Sequence, residues 1–285
     1  MRRVLVSAVG VLSAALAYTP AFSAELPIKP RPSATRPAPA PQASNWSGGQ
    51  IGGNGGGSIG NNAFVEPGSI VCPVGVPCSE TDFQFSDNAS SFVGGIFLGY
   101  RWQMGNAVIG VEGDATWQEL ESSLTQNSIT LIGAVPRTDY FNGSITQGWE
   151  GSLRLRYGWL ITPTMLLYAT GGVSFLEAKG SFAYNGSIPA NPTTVAGSGS
   201  WSDTLVGFTV GGGIESDVSS LFGIPGVKVR GEYRYTSYGS YSKDIALGCT
   251  GVCTAITAPS GNAHIEVDNI DNHKFLLGLG FELGG

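Results

Sequence analysis

The chain has 285 residues, a formal net charge of −6, 13% charged residues and 43 glycines. That length suits one large domain or two small ones, and the acidic balance gives no reason to expect a nucleic-acid partner. Beyond the N-terminus no stretch offers the roughly 20 apolar residues of a membrane helix, so a membrane-bound mature chain has to be a β-barrel.

The start, "MRRVLVSAVGVLSAALAYTPAFSAELP", has two arginines, an apolar run and then small residues. This is the pattern of a secretory signal peptide, residues 1–23, cleaved after Ser23. Residues 24–45 follow as a Pro-rich segment with too few apolar side chains for a core. They are expected to form an extended periplasmic tail, a spacer before the domain.

Eight segments then alternate apolar with polar or small residues, the period of a β-strand. In chain order they are "GQIGGNG" after Trp46, "SFVGGIFLGYRWQ" from Ser91, "AVIGVEGDATW" from Ala107 and "WEGSLRLRYGWL" from Trp149. "TMLLYATGGVSF" from Thr164, "TLVGFTVGGGIE" from Thr204, "VKVRGEYRY" from Val227 and "KFLLGLGFEL" from Lys274 complete the set. Each has about the 9–11 residues of a tilted membrane strand. Short turns at Gly105–Asn106 and at residues 161–163, and a medium one from Ser216, alternate with four long polar stretches at 58–90, 118–148, 177–203 and 239–273. Short turns on one side and long loops on the other are the rule in outer-membrane barrels. Residues 46–285 therefore predict an all-β, eight-stranded, antiparallel up-and-down transmembrane barrel with long extracellular loops.

Sorting side chains by parity places Arg101, Glu112, Asp114, Glu150, Arg154, Arg156, Glu215, Lys228, Arg230, Glu232, Arg234, Lys274 and Glu282 on one face. Seven cations and six anions balance well enough to pair inside a confined lumen. The opposite face is apolar, and its aromatics fall at strand ends. Trp46, Tyr100, Trp102, Tyr157, Trp159 and Phe281 would mark the periplasmic interface; Trp117, Trp149, Phe175, Tyr233, Tyr235 and Phe275 would mark the outer one. Removal of Arg2 and Arg3 takes the net charge to −8, and the four long stretches carry about −10 of it.

The segments "NWSGGQIGGNGGG", "GVEGDATW", "GSLRLRYGWL" with "LLYATGGVSF", "FTVGGGIES" and "VKVRGEYRYTSYG" together resemble the OmpA-like porin superfamily, in its alphaproteobacterial surface-protein subgroup. The resemblance covers residues 46–283. It implies an eight-stranded outer-membrane barrel with roles in envelope integrity and surface contact. It also implies outer-membrane lipid, lipopolysaccharide and the barrel-assembly machinery as partners, with extracellular partners reached through the acidic loops. The family's C-terminal assembly signal ends on an aromatic residue. Here Gly278, Phe281 and Leu283 keep the spacing, but the strand ends on Leu283.

Cys72 with Cys78, and Cys249 with Cys253, lie in oxidising surroundings and are expected as two local disulfides, with pairing between the two loops left open and a four-thiolate zinc site as the sharper alternative. His264 and His273 stand near no Ser-His-acid arrangement, and "GGNGGGSIG" lacks the lysine and helix of a phosphate loop. No enzyme, metal or cofactor is expected. An eight-stranded lumen is filled by its own side chains, which favours a structural and interaction protein. A narrow small-solute porin is the alternative; a surface binder of haem or a similar ligand, using loop tyrosines and His264, is a weaker one.

Overall fold

A computed structural model describes residues 45–66, 83–132, 135–188, 193–246, 248–250 and 262–283. All of them lie in the compact unit Pro41–Gly285. The signal peptide and nearly all of the Pro-rich tail fall outside the described residues, as do Cys72, Cys78 and Cys253; Cys249 lies in a short strand, without a described side chain.

The strands are β1 (Gly48–Glu66), β2 (Phe83–Met104), β3 (Ala107–Ile132), β4 (Val135–Thr162), β5 (Met165–Ile188) and β6 (Thr193–Asp217). A single helical turn, α1 (Ser219–Phe222), leads to β7 (Val227–Ser237), then β8 (Tyr241–Ala246), β9 (Gly248–Thr250) and β10 (Asn262–Leu283). Strands β1 to β7 and β10 pair antiparallel in chain order, and β10 pairs back onto β1 from Gly49↔Leu283 upward. The ring is closed and eight-stranded. Above the end of β7, β8 continues the wall against β10, and β9 pairs the upper part of β6.

Tight closure has a local requirement. A Cβ on Gly172 would lie 2.0 Å from the Leu153 carbonyl oxygen. Only glycine permits that cross-strand approach, which suits a strongly coiled, narrow wall.

The strands are much longer than the alternating segments suggest. β3 has 26 residues and β4 has 28, about 90 Å of chain for β4 at the usual rise. Stretches 118–148 and 177–203 are therefore mostly paired strand rather than long loop. The reason lies in a reversal of polarity. Below Trp117 and Trp149 the outward residues are apolar, among them Leu153, Leu155 and Val173, and the charges are buried. Above that level Leu124, Phe141, Ile145, Leu176 and Phe182 are buried instead, and Ser, Thr and Asn face outward. The β3–β4 register shifts between Trp117 and Leu120, and the β4–β5 register between Gln147 and Glu150, at the height of this reversal. The barrel thus has two storeys: one apolar outside and charged inside, the other polar outside and apolar inside.

The upper storey is a packed core, with Leu124, Phe141, Ile145, Leu176, Phe182, Trp201, Tyr238, Val267 and Ile270 in one cluster. Each fully buried aliphatic or aromatic side chain contributes roughly 1.5–3 kcal/mol. Tyr241 stacks on Trp201 at 4.2 Å and its hydroxyl donates to Asp203, tying β8 to β6. Burial together with that bond pushes the Tyr241 phenol up to about 12. Backbone amides of Leu124, Phe141 and Phe182 should therefore resist hydrogen exchange about as well as those of the lower storey. Exchange within seconds at these positions would show a loop and not a wall.

Candidate functional site

Strand β4 alone displays the layering of the interior. Its inward side chains run from Arg156 and Arg154 through Ser152 and Glu150 to Gln147, then Ile145 and Phe141, and finally Asp139 and Arg137. Alternation carries the even-numbered members to the inner face below the register shift between Gln147 and Glu150 and the odd-numbered ones above it, so one strand contributes to every level.

At the short-turn end, Arg101 bonds Glu215 at 2.7 Å and Glu282 at 2.9 Å. Lys228 lies between Asp217, at 3.1 Å, and Glu282, at 3.4 Å. One level up, Arg156 bonds Glu215 and reaches Glu112 at 3.3 Å, while Arg230 meets Glu112 at 2.7 Å. At mid-height Arg154 is held at 2.6 Å by each of Glu112, Asp114 and Glu232. Arg234 bonds Asp114 at 3.1 Å and Glu232 at 2.8 Å. Lys274 and Glu150 form the top pair at 2.5 Å. The structure thus brings all thirteen sequence-derived charges into the interior, each with an opposite partner.

Asp217, the last residue of β6, was not among them. It supplies the seventh carboxylate against seven cations. Neutral members were also invisible to a search for charge. Tyr168 donates to Glu232 at 2.9 Å and carries the Arg156 guanidinium over its ring at 3.5 Å. Phe97 carries Arg230 at 3.5 Å, and Ser152 donates to Asp114 at 2.9 Å. Inward parity on β2, β4 and β5 would have found all three.

Trp46 is a correction. The sequence reading places it in the periplasmic aromatic belt; it is 0% exposed. Its backbone N–H donates to Gln103 Oε1 and its indole Nε1–H to the Pro163 carbonyl. Lys228 Nζ lies 4.0 Å above its ring and Arg101 5.3 Å. With Val108, Leu160, Leu166 and Tyr168 it packs into an apolar layer beneath the charges. Counting by twos back from the buried Gln50 carries this residue inward, and a cationic floor holds the ring there.

The remaining belt residues face outward. Tyr100, Trp102, Tyr157, Trp159 and Phe281 lie toward the short-turn end; Trp117, Trp149, Phe175, Tyr233 and Phe275 lie at the polarity reversal, and Tyr235 beside them is half-buried. Trp117 and Trp149 are direct cross-strand partners. Phe281 and Leu283 face outward on β10, whereas Gly278 faces inward, where a Cβ would sit 3.0 Å from Arg230 Cγ. His273 accepts or donates a 2.7 Å bond with the Tyr233 hydroxyl outside the barrel; the His264 side chain is outside the described residues. Among the described residues no group of three His, Cys, Asp or Glu side chains is placed to hold a metal.

The family model for an outer membrane protein β-barrel domain matches residues 33–282. A 31 kDa outer-membrane immunogenic protein of Brucella melitensis is 29% identical over 79% of this chain and 84% of its own. A 22 kDa outer membrane protein of Rhizobium leguminosarum is 29% identical over 74% of this chain and 73% of its own. Among solved structures, neisserial surface protein A is 13% identical, with 83% of this chain and 98% of that one covered and a TM-score of 0.36. Closed barrel, apolar outer band and family match agree: this chain belongs to the outer membrane protein β-barrel domain family.

Proposed function

We propose that this outer-membrane protein is a sealed barrel that anchors a rigid β-extension outside the cell, supporting the envelope and its surface contacts rather than passing solutes. Residues 1–23 serve as its export signal, the short-turn end faces the periplasm and the upper storey faces outward. Gly278, Phe281 and Leu283 serve as the strand read by the assembly machinery. The relatives named as immunogenic support a surface role for this chain.

The observation that carries this reading is the filled interior. Seven cations and seven carboxylates are mutually paired, Trp46 closes the layer below, and the apolar cluster closes the layer above. An ion crossing such a lumen has to displace buried pairs that cost several kcal/mol to break. In planar bilayers the purified protein should show no stable conductance, only small sporadic steps. A large, steady open level would overturn the sealed barrel.

One observation favours the alternative of a narrow channel. The side-chain polar atoms of Asn54, Ser58 and Gln118 are buried without a protein partner. Buried polar groups of this kind hold internal water, and a file of waters beside β1 is the place where a narrow conducting state would begin. The same recording separates the two readings.

A further inference from the structure

The outward face of β3 to β6 in the upper storey is largely polar and uncharged. Its side chains come into register across four strands, and from Ser123 upward they are mainly hydroxyls, amides and alanines around the exposed Tyr140, giving way at the top of β3 and β4 to the exposed Ile129, Leu131 and Val135. Asn142 donates to Thr125 at 2.8 Å, and the Ser144 and Ser181 hydroxyls bond at 2.9 Å. Formal charge is confined to the base, where Glu121, Lys179 and Asp203 lie nearest the aromatic row, and Lys179 is paired with Glu177 at 2.9 Å. Arg137 and Asp139, the charges on β4 at the higher level, turn inward and bond each other at 2.7 Å.

On this field Tyr140 is 42% exposed. Its cross-strand partner is Asn185, which in turn faces Ala196. Because these neighbours are small, the ring stands beside a shallow groove of about 470 Å³, with Ala183 and Ser198 in its floor. An exposed ring edged by aligned hydroxyls and amides, with no charge, is complementary to a neutral sugar chain. The ring covers the apolar face of a pyranose, and the polar rows exchange hydrogen bonds with its hydroxyls. A polyanion would find no cation there, and an apolar peptide would strand the polar rows.

Position names the source. The face is continuous with the lipid-contacting band and begins at Trp117 and Trp149. Tyr140 stands nine residues above Trp149 on the same strand, roughly 20–25 Å up at the usual rise and tilt. That is the layer occupied by the saccharide of outer-leaflet glycolipid, whose acyl chains would lie against the band below. The geometry points to the outward face of β3–β6 as a binding surface for the uncharged saccharide chains of the cell's own outer-leaflet lipopolysaccharide. This rests on the extended end facing outward.

The test uses the full barrel in nanodiscs and two probes with the same lipid anchor: lipopolysaccharide bearing a neutral polysaccharide chain, and its deep-rough form lacking that chain. The long-chain form should bind at least about tenfold more tightly. Tyr140→Ala should weaken it about fivefold, on the scale of one aromatic contact, and Ser198→Asp should weaken it further. Thermal unfolding of both variants should match the parent, because both positions face water. Equal binding of the two probes would place recognition in the lipid anchor and overturn the proposal. So would an unaffected Tyr140→Ala, or tighter binding of a sulfated polysaccharide than of a neutral one. Conductance is indifferent to all of these outcomes, so failure here is distinct from failure of the sealed-barrel reading.

Discussion

Replacing Arg154 by Leu should lower barrel stability by about 3–5 kcal/mol, the scale of a buried ion pair broken by removing one partner. Arg154 is fully buried and, among the described residues, is the one cation with three carboxylates at 2.6 Å. Its loss leaves Glu112, Asp114 and Glu232 crowded in a low-dielectric interior with fewer compensating charges. Arg230→Leu should cost less. Arg230 bonds one carboxylate, and that carboxylate, Glu112, keeps Arg154 and Arg156. Equilibrium unfolding in lipid vesicles measures both. Adding Glu232→Gln to Arg154→Leu should recover part of the loss, because one uncompensated carboxylate is then gone while Arg234 keeps Asp114. A single-variant loss under about 1 kcal/mol, with no recovery in the double variant, would mean that the network is not electrostatically coupled.

The second large effect is expected one residue away, on the opposite face. Leu155 is 70% exposed and lies midway between the two aromatic rows on β4. Leu155→Arg puts a cation at the bilayer midplane, where the cost is roughly 2–4 kcal/mol, falling to about 0–1 kcal/mol near the interfaces. From the sequence, Val229→Arg is the natural contrast to Arg230→Leu. The structure weakens that test, because Val229 pairs with Leu279 and Ser216 one row above Phe281, close to the periplasmic boundary. Val229→Arg should therefore assemble nearly as well as the parent, whereas Leu155→Arg should accumulate unfolded. Heat-modifiability on gels and the folded fraction after refolding into vesicles report it. Equal tolerance at Leu155 and Val229 would contradict a lipid-facing band.

The lower storey was legible because lipid imposes a severe rule on sequence. Every outward side chain between Trp149 and Trp159 has to be apolar or small, so every charge on those strands has one place to go. Parity counting from Val227 to Tyr235 was therefore enough to sort Lys228, Arg230, Glu232 and Arg234 into the lumen. The ring of eight strands followed from the spacing of the turns.

The upper storey was not legible in the same terms. Leu124, Phe141, Ile145 and Phe182 still alternate with polar residues, but with water outside instead of lipid the apolar members turn inward. Read one strand at a time, "TDYFNGSITQ" carries the glycine, asparagine and serine of a loop. Only pairing with β3 on one side and β5 on the other makes it a wall, since strand propensity is mostly a matter of what packs against the pleat.

By itself, then, the sequence determined which residues cross the membrane, which face each presents and that the enclosed charges nearly balance. Those follow from a two-residue period and from the cost of charge in lipid. Which carboxylate holds which guanidinium, the inward turn of Trp46, the recruitment of Asp217 and the continuation of the wall beyond the aromatic row were decided by tertiary structure. Each of these depends on distances between strands far apart in the chain, and closure of β10 onto β1 sets those distances for all of them at once.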